Sequence, residues 1–168
     1  MNLTFNKLTL LVILTCIIYS CNNQNEKTYE HDIGYIDPES ALGDKDFKTC
    51  DNQIFEYYNS FPDGGYKYGK KALRDSVMRK YNYDGTDSGY LTFRFVVNCE
   101  GIAGRYQIIE NDLNYKPTQL NKDLVSSLFS ITKEFKEWRP VILNEQSRDY
   151  YIYITYKLRD GKIIEILP

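Results

Sequence analysis

Among the 168 residues there is one histidine, His31, and it stands in a polar stretch ahead of the aromatic-rich part of the chain. A Ser-His or Cys-His pair inside a rigid core is therefore not available. No Cys/His spacing suited to a metal, no phosphate-cradling glycine loop and no H-E-x-x-H helix occurs. An excess of one charge is missing too. The 21 Lys and Arg nearly balance 23 Asp and Glu, a formal net charge of −2, which gives no electrostatic case for nucleic acid or an anionic membrane surface. Internal repeats and a proline-rich rod are absent. The long apolar run, Leu8 to Tyr19, falls short of the ~20 residues that a membrane-spanning helix needs. Neither an enzymatic activity nor a cofactor or metal is expected.

That run, preceded by Lys7, has the length of a secretory signal's apolar region. It ends in Ile18-Tyr19-Ser20-Cys21, which resembles the lipobox of bacterial lipoproteins: an aliphatic residue three before the cysteine, a small residue just before it, then Cys. The resemblance implies that residues 1–20 are a signal peptide and that Cys21 is lipid-modified and becomes the new N-terminus. Two or three acyl chains would hold the protein stably, whereas one gives only marginal binding. The expected location is the cell envelope of a Gram-negative-type cell, lipid-anchored and facing the periplasm or the cell surface. Residues 21–49, polar and without sustained periodicity, read as the lipidated N-terminus and a flexible tether.

Of the four cysteines, Cys16 leaves with the signal and Cys21 carries lipid, so Cys50 and Cys99 remain. They are either a disulfide, as exported chains often form, or two separate buried thiols. A bridge closing a loop of this size would stabilise the fold by about 4 kcal/mol on the chain-entropy view.

Residues 50–168 suffice for one domain with one core. The 16 tyrosines suit half-buried sheet positions and partner surfaces alike, since the ring is apolar and the hydroxyl tolerates water. Tyr68, Leu73, Val77 and Tyr81 recur at helical spacing after Gly64-Gly65. Leu91, Phe93, Phe95 and Val97 alternate as a strand, Asn98 to Gly101 turn, and Ile102 to Glu110 returns antiparallel. Leu120, Leu124, Leu128, Ile131 and Phe135 mark a second helix, capped by Asn121 or Thr118 and stopped at Trp138-Arg139-Pro140. Tyr150 to Leu158 is a long strand, and Asp160-Gly161 turns it into a short final one. The fold expected is α+β, a small antiparallel sheet with two helices packed on one face.

This order, helix, hairpin, helix, strand, resembles the C-terminal domain of TonB and its relatives over roughly residues 61–158. The likeness is carried by Phe61-Pro62-Asp63-Gly64-Gly65, by Gly89 to Val97, by Glu100-Gly101-Ile102, and by the second helix running into Trp138-Arg139-Pro140. Tyr81-Asn82-Tyr83 departs from the family's usual tyrosine-proline. The resemblance implies a module that binds a protein partner by strand pairing at an exposed sheet edge, with Lys162 to Leu167 as the edge. The spanning helix and spacer of the energy-transducing members have no counterpart here, so energy transduction is not expected.

With both helices on one face, the other would be open and carry Arg94, Arg105, Tyr151 and Tyr153. That face is either an ordinary wet sheet surface or a binding face, and in the second case a glycan or small ligand is the alternative to a protein partner. The carboxylates Asp84 and Asp87 read as solvated turn formers. Trp138 reads as a plug closing a helix end.

Overall fold

The computed structural model describes residues 34–57 and 64–168. The leader, Cys21, His31 and Phe61-Pro62-Asp63 lie outside the described residues. The elements run β1 (Phe55–Glu56), α1 (Gly69–Lys80), β2 (Gly89–Val97), β3 (Ala103–Asn111), α2 (Lys122–Lys133), β4 (Val141–Leu143), β5 (Gln146–Arg148), β6 (Tyr150–Arg159) and β7 (Lys162–Leu167). The fold is α+β, as expected. Five strands form the main sheet in the order β1-β6-β2-β3, with β7 also paired to β6. All pairings are antiparallel except β1 with β6, which is parallel.

The alternation in β2 and β6 decides how the sheet is filled. Leu91, Phe93, Phe95 and Val97 pair through β6 with Tyr156, Ile154, Ile152 and Tyr150, and all eight are buried on one face. Leu73 and Val77 of α1, with Leu124, Leu128 and Ile131 of α2, pack on that same face. Asn121 caps α2 by accepting from the Asp123 N–H at 2.8 Å. The helix stops at Lys133, earlier than the apolar stripe suggests, and Phe135 reaches the core from the turn beyond it. There Trp138 is buried, its indole N–H donating to the Phe135 carbonyl at 2.6 Å.

Two close approaches rule out larger residues. A Cβ on Gly104 would sit 2.3 Å from the Phe47 ring, at the bulge where β3 slips register against β2. Gly161, at φ +71°, lies in the β6–β7 turn with its Cβ position 1.9 Å from the Gly85 carbonyl. Asp87 is more than a turn former. Its carboxylate accepts from the Tyr83 hydroxyl at 2.6 Å and the Asn121 N–H at 2.9 Å, and its carbonyl accepts from the Gly161 N–H at 2.8 Å. It joins the loop after α1 to the start of α2 and to the last turn.

The tether does not extend to residue 49. The compact unit begins at Gly34, not at Cys50. Ile36 is buried with Val96 and Tyr151, and Ala41, Phe47 and Ile54 pack against them. Leu42 exchanges two backbone hydrogen bonds of 2.8 Å with Tyr106 on the edge of β3. Apolar residues scattered singly through polar sequence find partners here one at a time, which no periodic pattern announces.

Burial also shapes the response to alkali. The hydroxyls of Tyr81 and Tyr156 are pushed up to about 12 by burial, and that of Tyr83 to about 12 by its hydrogen bond to Asp87. Tyr106 and Tyr150 are raised further, also by burial. In the unfolded chain these groups titrate near ~10, so above that pH the unfolded state binds fewer protons than the folded one. The stability they contribute is whole below pH ~10 and falls as pH rises through the folded values. The urea midpoint should therefore drop between pH 9 and pH 11 as tyrosinate absorbance appears. An unchanged midpoint over that interval would contradict this.

Candidate functional site

The four residues assigned to an open face do not make one surface. Arg94 and Tyr151, adjacent on the outer side of β2 and β6, are only 7% and 5% exposed, because the segment from Gly34 to Phe47 lies over them. The Arg94 guanidinium stacks on the Tyr151 ring at 4.2 Å and donates to the Gly34 carbonyl at 2.9 Å and the Glu56 carboxylate at 2.7 Å. Tyr151 accepts from the Ile36 N–H, and burial raises its pKa. Arg105, at φ 50° in the β3 bulge, lies 6.0 Å from the Phe47 ring. Tyr153 alone of the four is openly exposed, at 47%. The cover was hidden from sequence reasoning because Ile36 and Phe47 stand in polar sequence without a period, and Glu56, which neutralises Arg94, lies in a two-residue strand with no pattern of its own.

Cys50 and Cys99 are joined in a disulfide, with Cα atoms 6.0 Å apart. Beneath it lies a residue that sequence reasoning passed over. Asp149 is 0% exposed, and its carboxylate accepts three backbone N–H groups: Cys50 at 2.7 Å and Asp51 at 3.1 Å on one oxygen, Cys99 at 2.7 Å on the other. Its carbonyl accepts from the Phe55 N–H at 2.9 Å, which starts the β1–β6 pairing. A charged residue directly before the apolar run Tyr150 to Tyr156 was the available signal. Among the described residues, the candidate group of metal-ligand type is this same trio, Cys50, Cys99 and Asp149. Its sulfurs are bonded to each other and its carboxylate is engaged by three N–H donors, so the arrangement is a staple.

The sheet leaves two features open on the far side of β6. One is the edge. Phe55 and Tyr57 donate to the carbonyls of Asp149 and Tyr151, and β7 takes up pairing at Thr155 with Leu167. Between them the outward backbone of Tyr153 has no strand partner among the described residues. Beyond it β7 is paired, among the described residues, on one side only, with Ile164 exposed. The other feature is a cleft of about 470 Å³ between the start of α1, the first half of β6 and the end of β7. Leu73, Trp138, Ile152, Ile154 and Ile166 line it, and Lys70, Lys71 and Arg74 stand around it. The first turn of α1 carries no acidic residue to offset the lysines.

Among the described residues no helix is long and apolar enough to cross a membrane. Comparison with protein-family models, with curated proteins and with solved structures gives no match to this chain.

Proposed function

We propose that this chain is a membrane-tethered envelope lipoprotein whose domain from Gly34 onward works by contact, in the manner of a TonB C-terminal-like module, binding an envelope protein along the free side of β7. The observation that carries this reading is the one-sided pairing of β7: a six-residue strand at the margin of the sheet, rich in isoleucine, whose outer backbone groups meet no described strand. Such an edge offers donors and acceptors to an incoming extended segment, and neighbouring side chains supply selectivity. Lys162 and Glu165 on the same strand restrain indiscriminate pairing of copies with one another.

The element order α1, hairpin, α2, strand supports the family likeness. The Cys50–Cys99 bond supports an oxidising compartment, since such bonds persist outside the cytosol. The lipobox-like Ile18-Tyr19-Ser20-Cys21 supports the anchor. Energy transduction is no part of the proposal.

A photo-crosslinking residue at Ile164, in the native envelope, should trap a discrete protein adduct. The same residue at Ile142, exposed on the separate β4–β5 hairpin, should not. Equal trapping at both positions, or none at Ile164, would defeat the partner reading. Mass measurement of the native N-terminus tests the anchor separately: a mature chain beginning at an acylated Cys21 is expected, and an unprocessed Met1 without fatty mass would defeat that half.

A further inference from the structure

We propose that the cleft between the start of α1, the first half of β6 and the end of β7 binds a single-chain anionic amphiphile, an alkyl chain ending in a carboxylate. The chain would lie on the apolar floor, with the head group at the Lys70 and Arg74 rim. This stands apart from the partner reading, which uses the outer margin of β7.

Size comes first. At about 470 Å³ the cleft falls within the range of small-molecule sites, roughly 300–1,000 Å³. The floor is supplied by both layers: Leu73 from α1, Ile152 and Ile154 from the core side of β6, Ile166 from β7, and Trp138 closing the end. No charged side chain stands on that floor. Ordinary apolar transfer makes each added methylene worth roughly fourfold in affinity.

The rim decides the head group. Lys70, Lys71 and Arg74 line the opening, and among the described residues no acidic side chain lines it with them. Lys71 is paired with Asp75 at 2.6 Å, whereas Lys70 and Arg74 have no ion pair among the described residues. Apolar floor beside cationic rim is the complement of an amphiphile with an anionic head. An extended peptide fits less well, because among the described residues the lane between β1 and β7 leaves only the backbone of Tyr153 to pair with, short of a strand.

Trp138, the chain's single tryptophan, lies on the cleft wall and supplies the readout. The folded chain is titrated with dodecanoate below its micelle concentration, then with dodecanol and with butanoate. Dodecanoate should change the tryptophan emission saturably, and the other two should bind at least about tenfold more weakly. The double substitution Lys70→Ala with Arg74→Ala removes exposed side chains, so the fold should persist by circular dichroism. It should weaken dodecanoate about tenfold and leave dodecanol unaffected. The proposal is overturned by non-saturable emission changes, by equal binding of dodecanol and dodecanoate, or by dodecanoate binding that survives the double substitution.

Discussion

Substituting alanine for Asp149 should cost the domain roughly 3–5 kcal/mol, a large share of the ~5–15 kcal/mol by which domains are stable. The carboxylate is fully buried and receives the N–H groups of Cys50, Asp51 and Cys99. Removing it strands three donors away from water, at about 1–3 kcal/mol each before relaxation. Asp149→Asn should fall between, because the amide keeps one oxygen for one side of the staple and turns an NH2 group toward donors on the other. Urea denaturation followed by far-ultraviolet dichroism measures both. If Asp149→Ala lies within 1 kcal/mol of the parent protein, the buried carboxylate does not hold these segments together.

The second large effect belongs to the bond above it. Cys50 and Cys99 are 49 residues apart, and releasing a loop of that length should lower stability by about 4 kcal/mol on the chain-entropy account. For a domain of this size that corresponds to a melting point lower by roughly 10 °C. The parent protein melted with a reductant and a Cys50→Ser, Cys99→Ser double variant should both show this drop relative to the oxidised parent. Asp149 and the disulfide fasten the same two segments, so their effects should not add. A double-mutant cycle with zero coupling would show that each acts alone, and a melting point indifferent to reductant would show that the bond adds nothing.

Where one face of an element meets a continuous core, the sequence pattern carried the structure. Leu91, Phe93, Phe95 and Val97 need no partner's identity to reveal a buried face, and Leu124, Leu128 and Ile131 reveal one side of a helix. What stayed hidden depends on contacts distant in sequence. Ile36, Leu42 and Phe47 are single apolar residues in polar surroundings, and only the far-off Tyr151, Tyr106 and Gly104 give them a place. The β4–β5 hairpin is three residues on each side, too short to show alternation, and its turn places Asn144 and Glu145 at positive φ without a glycine. Arg94 illustrates the same limit at the candidate site: its alternation with Phe93 and Phe95 assigns the correct side of the sheet, yet its exposure is settled by a segment that begins 60 residues earlier, at Gly34.

The parallel course of β1 against β6 bears on how the domain would carry load. Tension on the chain ahead of Gly34 reaches the sheet through Ile36 and Glu56 and arrives at strands already clamped by a covalent cross-bar between Cys50 and Cys99. Load entering from that side would meet, at Cys50, a covalent link to the β2–β3 turn before it reached the two residues of β1 paired with β6. A pull on the domain from its leading side would thus be met where the fold is cross-braced.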